Sequence, residues 1–398
     1  MSRMDADVAI QGAGMVGLAL AAALARYGLR VVVLDNGQPP QWQPDRYARR
    51  VCALNRASEG LLRALGVWEA LQRQRISPFR AIRVWDPLGG GQIGFDAADL
   101  GEPHLGHIVE NELIRSVLQQ AIMAGNGVEM RIPACIERLE PSDEVVTARL
   151  TDGSRLTAAL VVGADGARSA IRGLLGIPVR FASYAQKGIV AAIRTEIPHG
   201  EVARQWFLPG GPLAFLPLAD GRCSIVWSLP AAEAQARLAL DEDAFCAAVM
   251  HGCAGTLGAV LEVGERGAFP LHRLHAARYC TERAVLIGDA AHVIHPLAGQ
   301  GVNLGFQDAA ALARVVIEAR RRGRDIGGRL VLRRYERARR GDNLLMEWSM
   351  EGFHQLFTRS LPPVARLRSL GLGATDRIAP AKRFFMRRAI GSSASILP

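Results

Sequence analysis

Gly12, Gly14 and Gly17 stand in a G-x-G-x-x-G spacing, Gly12-Ala13-Gly14-Met15-Val16-Gly17, between two apolar runs, and the second run closes on Asp35. Glycines so placed permit a tight turn, let a pyrophosphate approach the backbone and let a helix pack closely on a sheet. An acid after the second strand can accept ribose hydroxyls. Two more acids follow apolar runs. Asp165 lies in Gly163-Ala164-Asp165-Gly166-Ala167-Arg168-Ser169, and Asp289 follows Ala284-Val285-Leu286-Ile287-Gly288. An acid between glycines is an ordinary turn former, but the carboxyl end of a buried strand is where open α/β sheets hold ligands. A second glycine-rich bend, Pro296-Leu297-Ala298-Gly299-Gln300-Gly301-Val302-Asn303-Leu304-Gly305, precedes another apolar helix, whose N-terminus suits a second part of the same ligand. The chemistry is dinucleotide binding by segments far apart in sequence. No other complete G-x-G-x-x-G occurs, which argues against a separate nicotinamide domain. His292 and His295 share an H-x-x-H spacing without a third ligand nearby, so no metal site is assigned.

The elements that must position these groups read as strand, turn, helix and strand over the first 35 residues. A helix follows, opened by Ser58 and closed near Gly66, and another spans 111–124, with Leu113, Val117 and Leu118 facing the core and Arg115 looking elsewhere. Arg50, just beyond the first unit, is either surface charge or a charge-assisted phosphate contact. Residues 179–274 alternate apolar and polar positions with frequent Pro and Gly, the pattern of an antiparallel sheet. Trp206, Phe207, Phe215 and Trp227 within it read as sheet packing. The chain returns to the first core through 284–292, and a helix is expected over 306–322. The fold class expected is α/β: a Rossmann-like nucleotide-binding domain in three pieces (1–80, 107–178, 275–322), interleaved with an antiparallel-sheet substrate domain (81–106, 179–274) and followed by a helical basic C-terminal region (323–398).

Length and composition agree with two interleaved domains: 398 residues, 49% hydrophobic and 22% charged. Asp5 and Asp7 before the first apolar run, and glycines within it, argue against a signal peptide, and no spanning helix is expected. Six scattered cysteines without a C-x-x-C pair suit free thiols in a reducing cytoplasm. The net charge of +10 is concentrated late: residues 307–398 hold 19 Lys+Arg against 8 Asp+Glu, whereas the rest hold 29 against 30. With 6% aromatics and no nucleic-acid module, nucleic acid is not the expected partner; an anionic membrane surface or a partner protein is.

Together, the segments 12–17, 163–169 and 288–305, in this order, resemble the class A flavoprotein monooxygenases with the para-hydroxybenzoate hydroxylase-like fold. The resemblance implies FAD held by Gly12, Gly14, Val16, Gly17 and Asp35 on its ADP half, by Arg50 and Arg115, by Asp289 at the ribityl chain, and by Gly301, Val302 and Asn303. Asp165 falls in the motif the family uses for both FAD and NAD(P)H. Backbone at Pro296, Gly299, Gln300 and Gly301 would border the reactive face of the flavin, with no side-chain acid or base assigned. A narrower likeness, carried by the segment 288–305 and by Trp206-Phe-Leu-Pro-Gly-Gly-Pro-Leu-Ala-Phe-Leu-Pro-Leu, is to the ubiquinone-biosynthesis hydroxylases. It implies NAD(P)H as reductant, O2 as co-substrate and a flavin C4a-hydroperoxide attacked by the ring of a polyprenylated phenol or quinol. Members acting at C1 often have Asn where Asp289 stands, which favours C5 or C6. The expected setting is the cytoplasm, with docking at the inner membrane or in a ubiquinone-biosynthesis complex, as a monomer or homo-oligomer. Two other readings are a hydroxylase of a soluble aromatic compound and a flavin-bearing subunit without turnover.

Overall fold

In the computed structural model, residues 4–295, 299, 301–358, 382, 383, 386, 387, 390, 391 and 397 are described. Two of the expected flavin-bordering positions, Pro296 and Gln300, lie outside the described residues, as does most of 359–398.

Fully buried apolar runs such as Ala6–Gln11 and Val31–Leu34 have no polar face to give to water, which is the signature of a parallel strand covered on both sides. They sit centrally in a seven-stranded sheet, in the order Val128–Arg131, Val31–Leu34, Ala6–Gln11, Arg155–Gly163, Val146–Leu150, Ile136–Pro141, with Ala284–Leu286 pairing alongside Arg155–Gly163. Register settles what this sheet displays. Gln11 pairs in parallel with both Leu34 and Gly163, and Gly163 pairs in parallel with Leu286. Gly12, Asp35, Asp165 and Asp289 therefore all follow the same carboxyl edge.

The second sheet has nine strands: Ala81–Asp86, Gly91–Asp96, all six strands between Val179 and Ala276, and the short strand His292–Val293. One of its faces packs Ile189, Trp206, Phe215 and Trp227 against Phe245 and Val249 of the helix Glu242–Gly252. These aromatic residues are core, as the sequence pattern indicates. The opposite face carries a cross-strand row, Val84, Gln205, Ala214, Val226 and Val190, each paired in register with the next. A small three-stranded sheet, Val51–Asn55, Gly106–Glu110 and Ser77–Phe79, joins the two.

Two helices differ from the sequence reading. The helix expected to open at Ser58 is Arg56–Ala64, and its cap is Asn55, whose side chain accepts from the Ser58 N–H at 2.9 Å. The helix expected from 306 begins at Gly301 and runs to Arg321. Its glycine-rich first turns looked like a bend, but a Cβ at Gly305 would stand 2.6 Å from Val16 Cγ2. Glycine there serves close helix packing, and that tertiary contact outweighs its poor helix propensity. Among the described residues no helix is long and apolar enough to cross a membrane.

Candidate functional site

The first turn is built so that only glycine fits. At Gly12, φ is +117° and an added Cβ would meet the Ala164 carbonyl at 2.3 Å; at Gly17 it would meet the Gly12 carbonyl at 2.0 Å. Gly14 differs. Its Cβ would meet nothing within 4 Å, and it caps the helix Met15–Ala25 without any side-chain hydrogen bond. Bare N–H groups at a helix start, facing open space and carrying the positive end of the helix dipole, make a cradle for phosphate. Asp35 folds over this turn, accepting from the N–H groups of Ala13 and Gly37, both at 2.5 Å. Arg115 reaches the same turn: its Nε donates to the Ala13 carbonyl at 3.3 Å while Nη1 binds Glu112 at 3.0 Å.

Arg172, which the sequence reading left without a role, ties the second motif to the third. Its two terminal nitrogens donate to the carbonyls of Ala167 and Ala290, each at 2.9 Å. Beside it, Asp165 accepts the Ile171 N–H at 3.1 Å through Oδ2, while Oδ1 is buried without a hydrogen-bond partner. Such an acceptor wants a donor from a ligand or water. Asp289 is closely surrounded by protein yet open to solvent at its surface. Burial lifts its pKa above the usual carboxylate value, ahead of the downward pull of His292, Arg50 and His272. The Arg50 guanidinium lies 5.2 Å from the centre of the Phe269 ring, and Phe269 pairs with Gly188 two residues along from Val190. The row Val84 to Val190 thus shares a sheet face with Phe269, the face that meets Arg50.

Gly299 and Gly301 open the third glycine-rich segment. Gly299 has φ +60° and lies against Ala53, and Gly301, like Gly14, has nothing among the described residues within 4 Å of an added Cβ. Two helix starts, at Gly14 and Gly301, therefore flank one sheet edge. The side chain of Asn303 is committed within the protein. Fully buried, it donates to the Ala53 carbonyl at 2.8 Å and accepts from the Asn55 N–H at 3.1 Å and the Ser58 hydroxyl at 2.6 Å. Its amide clamps the strand Val51–Asn55 to the helix start, because a buried amide must spend its hydrogen bonds on nearby partners. Val16 packs between Gly288 and Gly305 and spaces the first and third motifs. Val302 packs against the main core.

Asp308 is the functional residue that the sequence reading missed. It is 0% exposed and accepts four contacts: the Gly288 N–H at 3.0 Å and His292 Nε2 at 2.5 Å on Oδ2, and Arg339 Nε at 2.8 Å and Asn343 Nδ2 at 3.1 Å on Oδ1. Burial alone would raise this carboxyl, but His292 and then Arg339 outweigh it and hold it down at about 2. The one available signal was an acid inside an otherwise apolar helix, Phe306-Gln307-Asp308-Ala309-Ala310. His292 belongs to this clamp. His295 is buried with its ring edge-on to Tyr184 at 4.7 Å. Elsewhere, Glu59, His104 and His107 bring ligand atoms within 4.8 Å of one another, but Arg56 and Arg63 already bind the Glu59 carboxylate. Two guanidinium charges oppose a cation there.

The residues fit FAD: two helix starts suit phosphates, and an unpartnered acceptor and a solvent-facing acid stand on the same edge. Comparisons agree. Residues 5–344 match the family model described as FAD binding domain. The chain is 39% identical over 395 residues to the 3-demethoxyubiquinol 3-hydroxylase of Escherichia coli (strain K12), covering 98% of this chain and 100% of that protein. It is 39% identical over 388 residues to the ubiquinone hydroxylase UbiL of Rhodospirillum rubrum, covering 97% and 90%. The solved structure of p-nitrophenol 4-monooxygenase PnpA from Pseudomonas putida DLL-E4 superposes with a TM-score of 0.81 over 98% of this chain and 99% of that one; at 20% identity this shows the fold. A full-length match at this identity, on a chain whose three motifs meet at one sheet edge, places the protein in the ubiquinone-hydroxylase family of FAD-dependent monooxygenases.

Proposed function

We propose that the chain hydroxylates the ring of a polyprenylated phenol or quinol intermediate of ubiquinone biosynthesis, at C5 or C6 rather than C1, with NAD(P)H as reductant. The observation that carries this reading is the 39% identity over essentially the whole length of both chains to an enzyme named for hydroxylating 3-demethoxyubiquinol. Asp289 in place of asparagine supports the choice of ring position.

Bound FAD supplies the oxygen-transfer chemistry. The chain supplies binding, orientation and exclusion of water. In this reading N–H groups around Gly14 take the pyrophosphate, Arg115 adds charge at the same turn, and Asp35 exchanges its Ala13 and Gly37 contacts for ribose hydroxyls. Asp165, Arg50 and Asp289 line the route from pyrophosphate to ring system. Backbone at Gly299 and Gly301 borders the reactive face. The row Val84, Gln205, Ala214, Val226 and Val190 forms a mostly apolar wall for the aromatic ring. A polyprenyl tail is insoluble, so the substrate comes from a bilayer or a carrier.

Quinone profiling of a strain lacking the gene tests the reading. It should accumulate a prenylated precursor lacking one ring hydroxyl, and that precursor names the position. An unchanged profile would favour a hydroxylase of a soluble aromatic compound.

A further inference from the structure

The helix Arg329–Thr358 turns two unlike faces to its surroundings. Its inner face is committed: Leu332, Tyr335, Arg339 and Asn343 are buried, Glu347 meets His275 at 2.9 Å, and Glu351 accepts from Tyr184. Its outer face carries Leu330, Arg333, Arg337, Arg340, Leu345 and Trp348, all exposed. Steps of three to five residues keep these six along one side of the helix. Leu330 is 82% exposed, Leu345 52% and Trp348 71%. Among the described residues none of the three arginines pairs with a carboxylate within 4.0 Å. Glu336, three residues from Arg333 and four from Arg340, accepts the Tyr279 N–H at 2.6 Å, and Asp342 is bound to Arg339.

We infer that this face docks on an anionic phospholipid surface. An exposed tryptophan with aliphatic neighbours, set among arginines, matches the boundary between headgroups and acyl chains: the indole favours that layer and each arginine gains from anionic headgroups. The stripe from 330 to 348 is about 27 Å long at 1.5 Å per residue, so it lies along the surface. Charge excludes the simplest alternative occupant, a second copy. A two-fold axis through the middle of the stripe would bring Arg337 and Arg340 of one copy against the same residues of the other, and like charges so placed repel. The inner face of this helix holds His275 and Tyr184, and the strand carrying His275 also carries His272, which acts on Asp289. Docking would therefore bring the helix that backs this edge of the site onto the bilayer. That benefit rests on the prenylated-substrate reading; the surface itself does not.

The test uses full-length, FAD-loaded protein, sedimented with vesicles of phosphatidylglycerol and phosphatidylethanolamine or of phosphatidylcholine alone. Wild type should bind the anionic vesicles, weakly in high salt, and bind phosphatidylcholine poorly. Arg333→Glu/Arg337→Glu should lower binding about 30-fold or more, and Trp348→Ser should lower it without changing the salt dependence. Both variants should keep wild-type turnover of a short-tailed, water-soluble prenylphenol. Wild type failing to bind, or both variants binding equally well, would overturn the inference, as would variants that change oligomeric mass by light scattering without losing vesicle binding. Absence of turnover in every form would instead count against the substrate reading.

Discussion

Replacing Asp308 by asparagine should damage folding and cofactor retention together. The carboxylate serves Arg339 and Asn343 through one oxygen and Gly288 and His292 through the other, with no access to water. An asparagine can accept through one atom only, and its NH2 would point at groups that are themselves donors. Arg339, 6% exposed, would keep Asn343 Oδ1 at 2.7 Å and Asp342 at 3.4 Å but lose its buried charge partner. Removing one member of such a pair costs about 3–5 kcal/mol, a large share of a typical total of roughly 5–15 kcal/mol. Because the Gly288 N–H is released beside Asp289, FAD should also be lost more readily. Urea unfolding and flavin content of the purified protein measure the two effects. Asp308→Asn/Arg339→Met removes the stranded charge and should recover part of the stability but not the flavin content, since Gly288 stays unanchored. A loss below about 1 kcal/mol with full flavin content would refute the reasoning.

The glycines of the first turn should separate folding from binding. Gly12→Ala places a Cβ 2.3 Å from the Ala164 carbonyl at a positive φ, so the apoprotein should be destabilised; Gly14→Ala meets nothing within 4 Å, so it should fold normally and bind FAD roughly tenfold or more weakly. Calorimetry of apoprotein and flavin titration of each variant would decide, and equal apoprotein stabilities would contradict the geometry. A pH effect is expected from His107, which burial, and next the neighbouring His104, hold at about 4. Between the unfolded value near 6.5 and about 4, the unfolded chain binds a proton that the folded chain refuses. Stability should therefore be full above the upper value and fall on acidification by on the order of 3 kcal/mol. His107→Asn should flatten that part of the profile of melting temperature against pH, and an unchanged profile would assign the loss to other groups.

The edge-forming motifs were legible because they are local. Gly12, Gly14, Gly17, Asp35, Asp165 and Asp289 each follow an apolar run, and a turn with an acid at a strand end has a short-range signature. Parallel register then does the long-range work, bringing Gln11, Gly163 and Leu286 to one edge. The network behind that edge was not legible. Asp308 and Arg339 are ordinary charges until two helices pack and bury them, and the hydrogen bonds of the Asn303 side chain to Ala53, Asn55 and Ser58 join segments far apart in sequence. The same cause misplaced a helix cap at Ser58, whose hydroxyl goes to Asn303 rather than to its own helix. Side-chain pairing across distant segments leaves no periodic trace in sequence, whereas burial and turns do.

The central claim is that this chain transfers one oxygen atom from O2 to the ring of a prenylated phenol or quinol. Purified protein with FAD, NAD(P)H, a short-tailed prenylphenol and O2 labelled with the heavy isotope tests it most directly by mass spectrometry of the product. The expected product is a ring hydroxyl carrying one labelled oxygen, formed in proportion to the NAD(P)H consumed. NAD(P)H oxidation that yields only hydrogen peroxide with every prenylated substrate, or a product whose oxygen comes from water, would contradict it.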